Sequence, residues 1–541
     1  MSIQNTKSQI RLPIFLALAI SLGIFIGAWT SSPEPSGTDL SKSVGKFREI
    51  LNYIDRNYVD EVETEVLVEK AISEMLEDLD PHSVYITAEE LKYSLADLEG
   101  NFEGIGIEYS IFRDTIHVVT PLSGGPSEEV GLKAGDKIIE VNDEVVAGIG
   151  IKNKGVLDRL RGDKGSEVKV SILRKNEEAL LDFNIIRDKI PQFSVDAAYM
   201  VDDEIGYIKV NRFTATTYDE FKVALKKLND QGLEKLVLDL TGNPGGYMDK
   251  AIKMADEFLA GNPMIVFTKG KEYRYNQEHR ADFSGGFEDK PLIVLIDEGS
   301  ASASEIVSGA IQDNDRGLIV GRRSFGKGLV QMPMDLSDGS ELRLTISRYY
   351  TPSGRSIQKD YDGNLDDYHS DIYERYNTGE MYSADKIEIN DSLAFKTAKG
   401  RTVYGGGGIV PDFFVPIDTV GSSRYLNRLF NSNSIREFAL KYSDENRESL
   451  MTEGYSKYFS SFEVTGTMLK ELIAIAESNK LKFDQKEFEY SKKLIKIYVK
   501  AQIARGVWDN DGFYPIFNQT NEIYNQALTL FDDAEEILAQ K

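Results

Sequence analysis

Three serines lie where an apolar segment gives way to a helical pattern, and that position suits a nucleophile. The run Pro291–Ile296 leads into Asp-Glu-Gly-Ser-Ala-Ser-Ala-Ser-Glu, whose hydroxyl side chains are Ser300, Ser302 and Ser304. The first turn of a helix presents unpaired backbone N–H groups that can hold an oxyanion. Serines also act as simple helix caps at such positions. Spacing alone therefore does not choose among the three.

Lys327 offers a base for such a serine. It stands between Gly326 and Gly328, shortly after the apolar run that ends at Val320. A lysine can accept a proton only where burial or neighbouring charge lowers its pKa towards neutrality. The adjacent Arg322-Arg323 would fit a basic anion site equally well. A phosphate-binding loop is excluded, because the upstream glycine spacing and the following Ser or Thr are missing.

A third segment, Asp239-Leu-Thr-Gly-Asn-Pro-Gly-Gly246, follows another apolar run. Its paired glycines, Gly245 and Gly246, could direct backbone N–H groups at a developing negative charge. The same residues are typical of an ordinary turn. This segment is therefore informative only together with the other two.

The elements that must position these segments alternate between strands and helices over residues 190–420, which predicts a layered α/β core. A polar stretch at 356–395, rich in Tyr and Asp, is interpreted as a flap. The predicted strands are Ile205–Val210, Lys235–Leu240, Met264–Thr268, Pro291–Ile296, Gly317–Val320 and Glu341–Ile346. The predicted helices are Tyr218–Leu228, Asp249–Leu259 and Ala303–Ile311.

Three further regions flank or precede this core. Short strands and glycine turns predict a small β-rich module over 100–188. Beyond Gly421 the sequence is helical and charged, and it is interpreted as a solvated appendage. Near the N-terminus, two amphipathic helices are predicted to pack into the core or against a second copy. Their apolar stripes are Phe47, Ile50, Leu51, Ile54 and Tyr58, and Leu67, Ala71, Ile72, Met75 and Leu79.

Composition excludes several classes of function. The 541 residues carry 63 basic and 88 acidic side chains, a net charge of −25, which disfavours a nucleic-acid partner. Cysteine is absent, so disulfides, thiolate metal sites and cysteine nucleophiles are excluded. The chain has four histidines, at 82, 117, 279 and 369, and none has a recognisable partner for a Ser-His-Asp triad. No metal or organic cofactor is expected.

The N-terminus predicts export. Lys7 and Arg11 precede an apolar run, Leu12–Trp29, that would span about 27 Å as a helix, close to the thickness of a bilayer core. The positive flank precedes the run, so the rest of the chain should be translocated. An uncleaved anchor is favoured over a cleaved signal peptide. The predicted location is the periplasm or cell envelope, at the inner membrane.

The three segments, in this order, resemble the C-terminal processing peptidases, also called tail-specific proteases. The motifs are Asp239–Gly246, Gly299–Glu305 and Ser324–Gln331, with a departure at Thr241, where the family has arginine. The resemblance covers about residues 45–420. It implies a multidomain α/β fold: a crotonase-like peptidase core, an inserted PDZ-like module, an N-terminal helical segment and a C-terminal helical region.

The resemblance also implies roles for individual residues. Ser302 would be the nucleophile and Lys327 the general base, with Gln331 orienting the lysine. The N–H groups of Ala303 and of one glycine of Gly245-Gly246 would form the oxyanion hole. A supporting acidic position matches Asp313. In the PDZ-like module, Phe102–Ile107 resembles the loop that binds a peptide carboxylate, and its central residues are Gly104, Ile105, Gly106 and Ile107.

The expected protein is an exported serine endopeptidase that binds exposed C-terminal tails of proteins and cleaves them. A crotonase-type enzyme acting on thioesters and a non-catalytic tail-binding scaffold are the alternatives, and a homo-oligomer or an adaptor is left open as a partner. The expected domains are an anchor and linker at 1–35, helices at 36–98, the PDZ-like domain at 99–188, the peptidase core at 189–420 and helices at 421–541.

Overall fold

The computed structural model describes residues 40–122, 124–175, 177–282 and 285–539. Among these residues, those up to Glu74 and those from Met75 form two compact units. The apolar segment Leu12–Trp29, on which the anchor prediction rests, lies outside the described residues. Within those ranges, no helix has both the length and the apolar character to cross a membrane.

The first unit contains α1 (Leu40–Asn57) and most of α2 (Thr64–Glu77). No residue of α1 is buried, and Phe47 and Ile50 are 44% and 47% exposed. Within its own unit this stripe is exposed, and its packing into the core or against a second copy stays a prediction.

The β-rich module is a six-stranded antiparallel sheet with two helices. Its strands run in the order β3-β4-β5-β7-β8, with β6 on β5, and β2 pairs with β9 where the chain enters and leaves the module. Side chains such as Ile116, Val118, Ile138 and Val170 are fully buried between sheet and helices. The bounds, with the two elements before the module, are β1 (Val84–Ile86), α3 (Ala88–Glu99), β2 (Asn101–Gly104), β3 (Ile107–Phe112), β4 (Thr115–Pro121), α4 (Pro126–Glu129), β5 (Lys137–Val141), β6 (Glu144–Val145), α5 (Asn153–Leu160), β7 (Glu167–Leu173), β8 (Leu181–Ile186) and β9 (Asp188–Pro191).

The α/β core is built on a six-stranded sheet in the order β10-β11-β12-β15-β16-β21, parallel except for its first pair. Every residue of β15 is buried, as expected for a central strand covered on both faces. All the predicted core strands and helices are present. The bounds are β10 (Val195–Met200), β11 (Ile205–Val210), α6 (Thr217–Asn229), β12 (Lys235–Asp239), α7 (Met248–Asp256), β13 (Met264–Gly270), β14 (Gln277–Arg280), β15 (Leu292–Ile296), α8 (Ala303–Asp313) and β16 (Leu318–Gly321), with β21 (Phe413–Phe414) at the sheet's edge.

A second sheet includes β17 (Leu329–Asp335) and β18 (Glu341–Tyr350), the two strands that follow Lys327 in the chain. Its strand order is β1-β18-β13-β14, with β17 on β18. The stretch 356–395, interpreted as a flap, instead contains helix α9 (Leu365–Thr378), whose Tyr368 and Arg375 are buried. The guanidinium of Arg375 donates to the Ser324 carbonyl at 3.0 Å, a hydrogen bond that joins this helix to the segment Ser324–Gln331. The pair β19 (Ala394–Lys396) and β20 (Thr402–Tyr404) follows.

The C-terminal region is helical, as predicted, but it is not a solvated appendage. It has its own buried cluster, which includes Leu429, Leu472 and Ile495. Its last two helices also bury Ile523 and Phe531 against the face of the core sheet that α8 leaves open. The appendage prediction is wrong because the apolar positions serve two separate cores. The bounds are α10 (Arg424–Asn431), α11 (Ser434–Glu453), α12 (Tyr455–Ser461), α13 (Gly466–Ser478), α14 (Gln485–Phe517), α15 (Glu522–Leu528) and α16 (Phe531–Ala539).

Candidate active site

The three sequence motifs meet at one edge of the core sheet. They follow β12, β15 and β16, which are neighbours and parallel, so their carboxyl ends coincide. The Gly242 amide donates to the Asp297 carboxylate at 2.7 Å, and the Ala301 amide donates to the Asn243 carbonyl at 2.9 Å. The Phe325 amide donates to the Ser300 carbonyl at 2.9 Å. Backbone hydrogen bonds thus join all three loops.

The surroundings of the three serines differ. Ser300 is fully buried, and its hydroxyl donates to the Leu240 carbonyl at 2.8 Å. Ser304 is fully buried too, and its hydroxyl donates to the Asn243 carbonyl at 2.9 Å. Both hold the loop after β15 against the loop after β12. Ser302 is partly exposed, which leaves it as the serine of the three that a substrate could reach.

The backbone of Ser302 is held in an unusual conformation, with φ 55° and ψ −111°. A non-glycine residue with positive φ typically costs about 1–3 kcal/mol and persists only where its surroundings enforce it. The enforcing contacts here are the helix that begins at Ala303 and the carboxylate of Glu305, which accepts from the Ser302 amide at 2.8 Å.

Glu305 connects the loop after β15, which carries Ser302, to the loop after β16, which carries Lys327; these are called the serine loop and the lysine loop below. Its fully buried carboxylate also accepts from the amides of Gly326 at 2.7 Å and Lys327 at 2.9 Å, and from the Ser324 hydroxyl at 2.5 Å. Burial raises the pKa of Glu305 to about 7, although these four hydrogen bonds act in the opposite direction. One carboxylate thus fixes the main chain of both candidate residues.

Tyr349, on β18, provides a second connection. Its buried hydroxyl lies 3.1 Å from the Ser302 carbonyl oxygen and 2.6 Å from that of Lys327. Both carbonyls are therefore within hydrogen-bond reach of one phenol. Since Tyr349 and Glu305 come from different elements, the relative position of the two loops is fixed by tertiary contacts.

Lys327 is largely buried, and burial lowers its pKa below the usual range for lysine. The charges of Glu305 and Asp80 raise the pKa, and Arg343 lowers it further, but burial has the largest effect. A lysine in this setting is suited to accept a proton. Within the described residues, no hydrogen bond joins the Lys327 amine to the Ser302 hydroxyl.

Gln331 leads to a short chain of hydrogen bonds beside the lysine. Its amide donates to the Thr345 hydroxyl at 3.2 Å, and Thr345 donates to the Asp80 carboxylate at 3.0 Å. Asp80 also accepts from the Ser83 hydroxyl at 2.6 Å. The turn after α2 therefore reaches the candidate site, and Asp80 acts on Lys327 through its charge.

The glycines of the first motif lie against Ser302. A Cβ on Gly245 would be 2.8 Å from the Cβ of Ser302 and 2.9 Å from the Ala303 nitrogen, so no larger residue fits. The Gly245 amide, however, donates to the Asn243 side chain at 2.9 Å. No described residue accepts a hydrogen bond from the amides of Gly246 or Ala303. Of the two candidate glycines, Gly246 therefore has the available N–H group.

His82 lies near the site but is not suited to act as a base there. Its ring Nε2 is 2.9 Å from the Tyr368 hydroxyl. Burial, with a contribution from the Lys327 charge, lowers the pKa of His82 to about 3. The two arginines that could have formed an anion site are paired instead: Arg322 with Glu298 and Arg323 with Glu380, each at 2.7 Å.

Asp313 is not part of the candidate site. It ends α8, about 16 Å along the helix from Ser302 at roughly 1.5 Å per residue. Its carboxylate pairs with Arg355 at 2.7 Å, and both side chains are fully buried. The structure therefore separates Asp313 from the other candidate residues and gives it a structural ion pair.

The predicted carboxylate-binding loop lies at the start of an open sheet edge. Gly106 has φ 71°, and β3 begins directly after it at Ile107. Among the described residues, none accepts a hydrogen bond from the amides of Ile105 or Gly106, and β3 pairs with β4 alone. This loop has the free N–H groups, and this strand the free edge, that a peptide C-terminus requires. Gly104, by contrast, lies in β2, where it pairs with Asp188 of β9.

Sequence reasoning missed four residues that surround Ser302 and Lys327: Glu305, Tyr349, Asp80 and Thr345. Glu305 ends the serine run itself, and Asp80 stands in Leu79-Asp-Pro-His-Ser83, so both offered a weak signal. Tyr349 and Thr345 lie in a strand with no distinguishing pattern. In the described part of the chain, no group of acidic or histidine side chains is arranged to hold a metal ion.

Family models match four parts of the chain. Residues 204–369 match Peptidase family S41, and residues 104–185 match a PDZ domain. Residues 29–90 match the model described as activating protease CtpB N-terminal domain, and residues 425–509 match a family of unknown function.

Two curated relatives are similar over most of their length. A carboxy-terminal-processing protease of Bartonella bacilliformis is 39% identical over 321 residues, 59% of this chain and 73% of the relative. Carboxy-terminal processing protease CtpB of Bacillus subtilis is 37% identical over 330 residues, 60% of this chain and 67% of the relative. The solved photosystem II D1 C-terminal processing protease is 26% identical, with a TM-score of 0.34 over 69% of this chain and 93% of that one.

Proposed function

The chain belongs to the C-terminal processing peptidases, serine-type endopeptidases that here carry a PDZ domain, and on that premise we propose that Ser302 and Lys327 form its catalytic pair. The observation that carries this proposal is the Glu305 carboxylate, which accepts hydrogen bonds from the amides of both residues. The proposal includes the domain boundaries at 36–98, 99–188, 189–420 and 421–541.

Lys327, uncharged in the active form, takes the proton of the Ser302 hydroxyl as its oxygen attacks the scissile carbonyl. The resulting Lys327 ammonium then donates this proton to the leaving nitrogen as the C–N bond breaks, and water hydrolyses the acyl-enzyme with the neutral Lys327 amine again as base. The lowered pKa of Lys327 supports this role. Because the two side chains are not hydrogen-bonded, the flexible lysine side chain must rotate towards Ser302 before the attack.

The tetrahedral intermediate carries its negative charge on the former carbonyl oxygen. The amides of Ala303 and Gly246 are the proposed donors to it, since neither donates to a described residue. Ala303 also opens α8, so the positive end of the helix dipole adds to the stabilisation. Gly245 allows the close approach of the two loops, and Gln331 holds Thr345 and Asp80 beside the lysine.

The PDZ domain is proposed to capture the C-terminal tail of the substrate. The amides of Ile105 and Gly106 would bind the terminal carboxylate, and the tail would add as a strand to the free edge of β3. Substrates with free C-termini should therefore be cleaved faster than the same substrates amidated at the C-terminus. Equal rates would contradict tail capture and leave the catalytic pair unaffected.

Export is also part of the proposal, and it rests on Lys7, Arg11 and the run Leu12–Trp29. The proposed location is the periplasm or cell envelope, with this run as the membrane anchor. Fusing residues 1–40 to alkaline phosphatase, which folds only after export, tests the proposal. An inactive fusion would contradict it.

The catalytic pair is tested on an unstructured polypeptide with a mapped cleavage site. Ser302→Ala and Lys327→Ala should each lower kcat/KM by at least about 10⁴-fold, because neither nucleophile nor base can be replaced from nearby. Ser300→Ala is the matched control: it removes a buried hydroxyl that only joins two loops, so its kcat/KM should fall far less than that of Ser302→Ala. Cleavage by Ser302→Ala at the wild-type rate would refute the proposal.

A further inference from the structure

A large cleft opens beside the lysine loop. Its volume is about 920 Å³, and the residues that line it include Asp80, Leu329, Thr345 and Gln358. Gln358 accepts from the amide of Gly328, the residue after Lys327, at 2.8 Å. Asp80 both lines this cleft and acts on the charge of Lys327. The cleft is thus continuous with the surroundings of the proposed base.

The cleft is lined by four cations and by two carboxylates, Asp80 and Asp360. One of the cations, Lys359, is buried and pairs with Asp371. The other three, Lys269, Lys271 and Arg348, are exposed. Among the described residues, none of them has a carboxylate within ion-pair distance, although the chain carries 88 acidic side chains against 63 basic ones. Lys269 instead lies over two aromatic rings, with its amine 5.3 Å from the centroids of Phe267 and Tyr350.

The strand register places two of these cations directly opposite each other. Lys269 on β13 is the cross-strand partner of Arg348 on β18, so both side chains emerge on the same face. Like charges opposite each other destabilise a sheet. No carboxylate lies between them to offset this repulsion, so the two cations create a site that attracts anions.

We propose that this cleft binds acidic side chains of the polypeptide substrate close to the scissile bond. The inference rests on the proposed catalytic pair, because it places that bond at Ser302 and Lys327. Arg348 pairs with Leu329, two residues beyond Lys327, which puts the main chain of Arg348 about 8 Å from that of the lysine. An extended substrate covers roughly 3.3 Å per residue, so the acidic residues would lie about two to four positions from the bond.

The kinetic test compares substrates that differ only in charge. An unstructured polypeptide with one mapped cleavage site receives a Glu-Glu or a Gln-Gln pair two to four residues before or after that site. The full-length protein should prefer a Glu-Glu substrate by about tenfold in kcat/KM at low salt, and added NaCl should reduce the preference. In the variant Lys269→Gln with Arg348→Gln, the Glu-to-Gln ratio should approach one.

A charge-matched control is Lys482→Gln with Lys486→Gln, which removes two exposed lysines of the C-terminal region and should retain the wild-type preference. The Tm of the cleft variant should equal or exceed that of the wild type, because the pair it removes is repulsive. A clear fall in its Tm would show that the two cations stabilise the folded protein and would contradict a binding role. Equal cleavage of Glu-Glu and Gln-Gln substrates at every position would overturn the proposal.

A binding measurement separates this inference from the catalytic proposal. Fluorescence anisotropy of labelled Glu-Glu and Gln-Gln peptides with the Ser302→Ala variant measures the Kd of each peptide without any turnover. Tighter binding of the Glu-Glu peptide, lost when Lys269 and Arg348 are also replaced, supports the cleft even if Ser302 and Lys327 prove not to be catalytic. Equal binding of the two peptides refutes it, even if the catalytic pair is correct.

Discussion

At the residue scale, the backbone of Ser302 and that of Lys327 share one acceptor, the Glu305 carboxylate. A buried carboxylate is costly unless its oxygens are hydrogen-bonded, and Glu305 accepts four hydrogen bonds. The same contacts maintain the positive φ of Ser302. Glu305 is therefore a positioning residue rather than a group that reacts.

Replacing this carboxylate tests that role. In Glu305→Gln, one oxygen becomes an NH₂ group that faces backbone N–H donors, so the two loops should separate. We expect kcat/KM to fall by about 100-fold, and the free energy of unfolding to fall by about 1–3 kcal/mol. The control Glu278→Gln changes an exposed carboxylate on β14 and should alter neither quantity. Wild-type kcat/KM in Glu305→Gln would contradict the positioning role.

The pH profile reports on Lys327. Since burial lowers its pKa, kcat/KM should rise with pH along a limb whose midpoint lies below the usual lysine value. The Asp80 charge raises the pKa of Lys327, so Asp80→Asn should move this limb to lower pH. Asp78→Asn, in the same turn but exposed, is the control and should leave the limb in place. A limb that stays or moves upward in Asp80→Asn would show that Asp80 does not act on the proposed base.

At the element scale, three adjacent parallel strands bring the motifs together. β12, β15 and β16 all end at the same edge, and the loops that follow them carry Gly246, Ser302 and Lys327. Helix α8 begins at Ala303 and is buried along its whole length, so its N-terminus cannot shift relative to the sheet. The far end of this helix is fixed by the ion pair between Asp313 and Arg355.

That ion pair should contribute to stability and not to catalysis. Asp313→Asn leaves Arg355 buried without its counter-charge, which typically costs about 3–5 kcal/mol of unfolding free energy. Urea unfolding measures this loss, and exposed Asp289→Asn is its control. Below the unfolding transition, kcat/KM should stay near the wild-type value, because Asp313 lies a helix length away from Ser302. A 100-fold loss of kcat/KM in the folded variant would show that Asp313 contributes to catalysis.

At the scale of the whole molecule, the C-terminal helices contact both the peptidase core and the PDZ domain. On the core they bury Ile523 and Phe531 against the central sheet. On the PDZ domain, Arg436 pairs with Glu108 of β3, and Glu437 pairs with Arg113 at 2.9 Å. The strand proposed to receive the tail is therefore held by the C-terminal region.

Charge reversal at this contact should loosen the PDZ domain. In Arg436→Glu, the new carboxylate faces Glu108, so amide hydrogen exchange in β3 should become faster. Adding Glu108→Lys restores opposite charges and should restore slow exchange. The effect should shrink at high salt, since Arg436 and Glu108 are both partly exposed. Unchanged exchange in the single variant would show that this contact does not hold β3.

The sequence alone determined the architecture of the core and the main candidates for chemistry. Apolar runs with glycine turns predicted β12, β15 and β16, because central parallel strands are buried on both faces and leave a strong signal. The ordered motifs singled out Ser302 and Lys327 through a resemblance. Spacing could not distinguish Ser302 from Ser300 and Ser304.

Only the tertiary structure decided which groups surround these residues. It assigned Ser300 and Ser304 to loop contacts, moved Asp313 out of the site and brought in Glu305, Tyr349 and Asp80. It also placed Lys269 opposite Arg348, which lie 79 positions apart in the sequence. Such contacts join residues distant in the chain, and they depend on sheet order and register. Local periodicity reports burial and element type, but it contains no information about which strand lies beside which.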